Sequence, residues 1–161
     1  MKIGIIADTH IPANEEALPA RVKQYFQGVD MIIHAGDLVE GSVIDELRRL
    51  CPRVEVVSGN MDSPSLQSQL PKKKTLRVED IVIGVVHGWG APREVPDAVR
   101  KEFQNVDVIV FGHSHQPLNE RRGPVLLFNP GSATDTVFAP YRSVGILTVT
   151  GHTVHGEILR V

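Results

Sequence analysis

Short apolar runs alternate with polar clusters along the chain, and each early run stops abruptly at an Asp, Asn or His. Ile3 to Ala7 is wholly apolar and ends at Asp8-Thr9-His10. A run of that length without alternation predicts a buried strand that delivers polar residues at its C-terminal end. Between Glu15 and Gln27, the apolar residues Ala17, Val22, Tyr25 and Phe26 mark a helix that Gly28 ends. Asp30 to His34 predicts a second strand, followed by Gly36-Asp37. Ser42 to Leu50 predicts a helix with Ser42 as N-cap, Asp45 at the capping-box position and Pro52 beyond its end. Val54 to Val57 predicts a third strand, which runs into Ser58-Gly59-Asn60. This β-α-β-α-β order requires a parallel sheet. Ligands of such sheets bind beyond the carboxyl ends of the strands, where all three polar clusters fall.

The pattern then turns strand-rich. Thr75 to Val78 and Ile81 to Val86 flank Glu79-Asp80 as a hairpin. Pro96 to Phe103 predicts a helix and Val106 to Phe111 another buried strand, with shorter strands at Val125 to Phe128, Ser143 to Val149 and Thr153 to Leu159. Two packed sheets with helices outside accommodate both halves, so the expected class is α/β. Gly, Pro and Asn stand at the ends of runs, so residues 1–161 are read as one domain.

Composition narrows the function. At 161 residues, with 42% hydrophobic and 22% charged residues, the chain suits a globular domain with a sizeable core. A net charge of -2 offers nucleic acid or an anionic membrane surface no electrostatic attraction. Cys51 is the sole cysteine, so no internal disulfide forms. The apolar run after Lys2 is too short for a signal peptide, and no run approaches the roughly 18 apolar residues of a membrane span. The expected location is the cytoplasm.

Five clusters carry the chemistry: Asp8-Thr9-His10, Gly36-Asp37, Gly59-Asn60-Met61-Asp62, His87-Gly88 and Gly112-His113-Ser114-His115. Each follows a predicted strand, and strand-end loops bring residues distant in sequence to one place. Taken singly, Gly36-Asp37 and Gly59-Asn60 read as turns, Asp8-x-His10 is a weak signal and His87 reads as a satisfied histidine at a strand end, while His113-x-His115 after an apolar strand is stronger. Together they offer imidazole nitrogen with carboxylate and amide oxygen and no thiolate, a donor set that suits Mn, Fe, Zn, Ni or Co. Two ions about 3.5–4 Å apart need a ligand that touches both, and the Asp37 carboxylate is the natural bridge. His152 and His155 belong to the last hairpin and are read as surface or packing residues. Lys72-Lys73-Lys74 reads as a solvated start to the first hairpin. Trp89 follows His87 closely enough either to line a substrate cleft or to pack over its own loop.

In that order, Asp8-x-His10, Gly36-Asp37, Gly59-Asn60-x-Asp62, His87-Gly88 and Gly112-His113-x-His115 resemble the calcineurin-like metallophosphoesterase superfamily. Asn129-Pro130-Gly131-Ser132 extends the likeness to its small bacterial and archaeal phosphodiesterase branch, which also includes the retromer scaffold subunit. The resemblance implies a four-layer α/β/β/α sandwich of two mixed sheets flanked by helices. It implies two divalent metal ions, with manganese preferred. Asp8, His10, Asp37 and His115 would hold one ion, and Asp37, Asn60, His87 and His113 the other. A bridging hydroxide would attack phosphorus in line, with Asp37, Asn60 and His113 at the catalytic centre. Many relatives carry a histidine directly after the Asn, thought to protonate the leaving group. Here Met61 stands there, and a thioether cannot donate a proton. Phosphodiesters, or esters with good leaving groups, are therefore expected as substrates. Asp62 or His34 would be the substitute acid, unless Asp62 merely braces the Asn60 loop. The rivals are a phosphomonoesterase or nuclease with the same metals, and a non-catalytic metal-binding scaffold. The intact ligand set argues against the scaffold. The expected partner is a small phosphoester substrate, with a family-like homodimer allowed.

Overall fold

The computed structural model describes residues 1–12 and 18–161. Five strands form each of two mixed sheets. In the first sheet, β1 (Lys2–Ile6) is flanked by β2 (Met31–His34) and β9 (Ser143–Thr150), with β3 (Val54–Val56) and β10 (Thr153–Arg160) at the edges. In the second, β6 (Val108–Val110) lies between β5 (Ile81–Val86) and β8 (Val125–Asn129), with β4 (Lys73–Val78) and β7 (Leu118–Arg122) at the edges. β1, β2 and β3 run parallel, as do β5, β6 and β8, while the outer pairs are antiparallel. The register aligns Ile6 with His34 and His34 with Val56, so the loops carrying Asp8, Asp37 and Asn60 leave the sheet side by side.

Three apolar layers hold the sheets and helices together. Ile3, Ile5, Met31, Ile83, Val108, Val110 and Phe128 belong to the core between the sheets. Outside the first sheet, Val22 and Phe26 at α1 (Ala20–Tyr25) and Val43 and Leu47 of α2 (Ser42–Leu50) cover Ile6 and Ile32. Outside the second, Val95 and Val99 of α4 (Val95–Glu102) cover Val86 and Ile109. The result is the expected α/β/β/α stack. Central strands are apolar on both faces because each is covered twice. The edge strands carry charge instead, as Glu120, Arg121 and Arg122 do on β7, which discourages pairing with another chain.

Four details differ from the sequence pattern. The first helix begins at Ala20, and the expected turn over Glu15 to Ala17 lies outside the described residues. Ser42 is not an N-cap: Gly41 holds that place with an already helical backbone, Ser42 is the first helical residue, and no side chain caps the end. A short helix α3 (Pro64–Gln69) was not expected, because only Leu66 is buried and one apolar residue gives no period. Ser63 caps it and Pro64 opens it. Strand β7 was missed for the matching reason, being a mostly polar edge. The described residues contain no helix long and apolar enough to cross a membrane.

Candidate metal centre

All seven residues expected to bind metal converge where the two sheets present their strand ends. Their backbones are unusual before any side chain is considered. Asp8, His10, Asp37, His113 and His115 all have left-handed φ values, between +44° and +67°. That region is costly for residues with a Cβ, at about 1–3 kcal/mol each, and persists only where the surroundings enforce it. Here the loops enforce one another. Asp8 N–H donates to Gly36 O at 3.0 Å and His10 N–H to Asp37 O at 3.1 Å. His113 N–H donates to Asp8 Oδ1 at 3.1 Å, which joins the two sheets. Met61 N–H donates to Asp37 Oδ1 at 2.7 Å.

Glycines allow this closeness. A Cβ on Gly112 would lie 2.7 Å from Asp8 Oδ2, and one on Gly59 would collide with the Asp37 carboxylate. Asn129 Nδ2 donates to Gly112 O at 2.9 Å and Ser132 Oγ to Asp8 O at 2.7 Å. The Asn129 to Ser132 turn is therefore a clamp that holds the Asp8 loop and the Gly112-His113 loop together.

Three imidazoles have their tautomers set from outside the cluster. His87 Nδ1–H donates to Ala35 O at 2.8 Å, His113 Nε2–H to Gly90 O at 3.0 Å, and His115 Nδ1–H to Asp135 Oδ2 at 2.5 Å. The opposite nitrogen of each ring faces inward, where it can carry a proton or bind a metal, as in metal-bound histidines. His87 Nε2 then lies 3.2 Å from Asp37 Oδ2, 3.2 Å from Asn60 Oδ1 and 3.9 Å from Asp8 Oδ1. His113 Nδ1 lies 3.1 Å from the same Asn60 oxygen. Across the cluster, His115 Nε2 is 3.3 Å from His10 Nε2 and 3.6 Å from Asp8 Oδ1. Such a convergence of acceptors requires a cation among them, either a proton or a metal.

The charges respond to this crowding. Burial pushes the Asp8 carboxyl up to about 7, against the pull of His87 and His115. Its Oδ2 is buried with no hydrogen-bond partner among the described residues. Burial also works against the Asp37 carboxylate, but the His87 ring, the Met61 N–H and His10 outweigh it and hold Asp37 below its ordinary value. His87 is held above its ordinary value because Asp37 and Asp8 outweigh its burial. Burial lowers His10 and His113. An orphaned buried carboxylate oxygen and a cluster that retains protons to balance its charge both fit divalent metal. Two overlapping groups meet the geometry for an ion: Asp8, His10 and His115, and Asp8, Asp37 and His87.

His34 and Asp62 sit apart from the open face. His34 is fully buried. Its Nδ1 accepts from Gly36 N–H at 3.2 Å and its Nε2–H donates to Thr9 Oγ1 at 3.1 Å. Asp62 accepts from Gly59 N–H at 2.7 Å and Val39 N–H at 2.8 Å, bracing the Asn60 loop. Two cavities flank the cluster. One of about 510 Å³ lies beside Asn60 and His87 and is lined by Lys72, Lys73 and Trp89, so Trp89 faces a cleft. Lys73 is paired with Glu102 at 3.2 Å, and Lys74 with Glu55 at 2.5 Å. The other cavity, of about 710 Å³, contains His10, Asp37, His113 and His115 themselves. His152 and His155 are exposed on the last hairpin, away from the site. Asp135 carried no sequence signal, since its partner His115 is 20 residues away and no periodicity links them.

Residues 1–152 match the calcineurin-like phosphoesterase superfamily domain. A protein of Methanothermobacter thermautotrophicus described as a probable metallophosphoesterase is 36% identical, over 99% of this chain and 92% of its own. The zinc complex of wild-type Vps29 from Entamoeba histolytica superposes with a TM-score of 0.76 at 23% identity, covering 99% of each chain. An archaeal phosphodiesterase superposes with a TM-score of 0.75 at 24% identity, covering 99% of this chain and 100% of its own. At those identities, the two structural likenesses establish the fold alone.

Proposed function

Because the chain belongs to the calcineurin-like phosphoesterase superfamily, we propose that it is a metal-dependent hydrolase of phosphodiesters with a dinuclear centre. The observation that carries this reading is the convergence of Asp37, Asn60, His87 and His113 acceptor atoms beside Asp8, His10 and His115. We assign Asp8, His10, Asp37 and His115 to one ion, and Asp37, Asn60, His87 and His113 to the other, with manganese as the preferred metal. Zinc bound to the Entamoeba Vps29 shows that this fold accepts divalent ions. When bound, two such ions supply positive charge that polarises a phosphoryl oxygen and lowers the pKa of water. Asp8 and Asp37 balance only half of that charge, which leaves the site attractive to a phosphate anion.

The preference for diesters rests on the protein's own proton inventory. Met61 lies on the wall of the larger cavity and has no proton to give. His34 is sealed in the interior, and both Asp62 oxygens accept backbone N–H groups. Neither is assigned as an acid. A leaving group that departs without protonation must itself be a weak base, so the reading is of diesters whose departing alcohol is acidic.

Hydrolysis of bis(p-nitrophenyl) phosphate with added Mn²⁺ or Ni²⁺, in wild type and Asp37→Ala, tests the reading. Metal-dependent turnover that falls about 10²–10³-fold or more in the variant is expected, since Asp37 serves both ions. A wild type without metal-dependent turnover overturns the enzyme reading. Turnover of p-nitrophenyl phosphate well above that of the diester overturns the preference.

A further inference from the structure

The large hydrophobic side chains exposed among the described residues are Met61, Trp89, Val137 and Phe138, and all four line the two cavities at the ligand cluster. Three of them share the larger cavity with the ligands: Met61 is 57% exposed, and Val137 and Phe138 are each 77% exposed. Scattered exposed apolar residues need no explanation, but a group gathered at one concave site points to something that covers it.

The loop that presents Val137 and Phe138 is built to hold them outward. The Asp135 carboxylate accepts from Val137 N–H at 2.7 Å, Phe138 N–H at 3.2 Å and Ala139 N–H at 3.0 Å. The same carboxylate accepts from His115. Thr134 Oγ1 donates to Thr9 O at 2.7 Å, and Asp135 N–H to Ser132 Oγ at 3.0 Å. The Phe138 ring stands edge-on to the His115 imidazole at 6.4 Å between centroids. Asp135 therefore fixes His115 and an apolar wall in one frame, and the wall begins at the ring beside His115.

We propose that Met61, Val137 and Phe138 form a subsite for an apolar ester arm, which makes the substrate class phosphodiesters with at least one aliphatic or aromatic alcohol of several carbons. The proposal rests on the diesterase reading. The occupant is the substrate's own arm because the wall lies within the cavity that contains His10, Asp37, His113 and His115. An apolar Met61, where a proton donor would otherwise stand, serves the same contact.

p-Nitrophenyl alkyl phosphates with methyl, butyl and hexyl arms keep the leaving group constant while the arm grows. Water adds to phosphorus, p-nitrophenolate leaves, and the alkyl arm stays on the product phosphate. A fully buried methylene favours binding about fourfold, and one-sided contact about twofold. With Mn²⁺, wild-type kcat/KM is therefore expected to rise about tenfold from methyl to butyl, and Val137→Ser/Phe138→Ser to lose that dependence. Both residues are exposed, so the variant retains its fold, which denaturant unfolding checks. Calorimetric binding of dibutyl against dimethyl phosphate to the Mn²⁺-loaded protein reads the same preference without turnover. Equal arm dependence in wild type and variant overturns the subsite. A variant that turns a dimer into a monomer with its arm dependence intact also overturns it, and makes the wall a protein interface. No hydrolysis of any ester, with wild-type preference for dibutyl phosphate retained, overturns the diesterase reading and leaves the subsite standing. Loss of both overturns both.

Discussion

Asp135 is the residue whose importance exceeds its visibility. It bonds His115 Nδ1 and so leaves Nε2 free to face Asp8 and His10. Its carboxyl is held down at about 2, because His115 and the backbone N–H groups of Val137, Phe138 and Ala139 outweigh its burial, so it is ionised throughout the working range. Removing such a partner from a metal-binding histidine costs about 10–100-fold in metal affinity. Asp135→Ala is therefore expected to weaken Mn²⁺ or Zn²⁺ binding by that factor in equilibrium dialysis, and Asp135→Asn by less, since its amide oxygen still accepts a hydrogen bond. His34 makes a different prediction. Burial depresses it to about 3, so the folded protein keeps it neutral while the unfolded chain protonates it near 6.5. The unfolded state binds the extra proton, so stability is retained above pH 6.5 and lost as pH falls toward 3, at about 1.4 kcal/mol per pH unit. Asp8, raised to about 7, acts in the opposite direction over much of that window. The comparison must therefore be wild type against His34→Gln. Urea unfolding of the metal-free pair should show wild type losing ground to the variant as pH drops from 6.5 to 4.5.

At the level of elements, the site depends on loops that touch because glycines let them. Gly112 lies just beyond strand β6 and lets the His113 loop lie against Asp8. A methyl group there would meet Asp8 Oδ2 and the Ala7 Cβ, both under 3.0 Å away in the present packing. Such overpacking costs about 1–3 kcal/mol. Gly112→Ala is expected to lose that much stability in denaturant unfolding, and to lose metal affinity as well, because Asp8 must move. A merely structural glycine would show the first effect without the second. The sequence placed Gly112 in the polar cluster that follows an apolar strand, but its spatial neighbour was not readable. Asp8 is more than 100 residues away along the chain, and only the packing of the two sheets brings it there. Element α3 was missed for a local reason: a six-residue helix with one buried side chain has nothing to repeat.

For the whole molecule, the decisive contact is between the sheets. Phe128 of β8 is fully buried, and its ring lies where Cβ atoms on Gly145 of β9 and Gly156 of β10 would fall. The aromatic ring of one sheet thus fills a hollow made by two glycines of the other. Phe128→Ala is expected to cost about 3–5 kcal/mol in denaturant unfolding, with saturating metal recovering part of the loss through its binding to the folded state alone. By itself, the sequence determined the apolar strands and the polar residue at the end of each, because burial demands one and site chemistry the other within a few neighbouring positions. From those ends the seven candidate ligands, the parallel order of β1 to β3 and the α/β class were legible. Tertiary structure alone decided that β9 from the far end of the chain lies against β1, that His34 is sealed away, and that Asp135 holds both His115 and the wall of Val137 and Phe138. Those outcomes depend on which surfaces meet in space, and a pattern along one chain records only what each residue requires of its surroundings, not which distant residue will supply it.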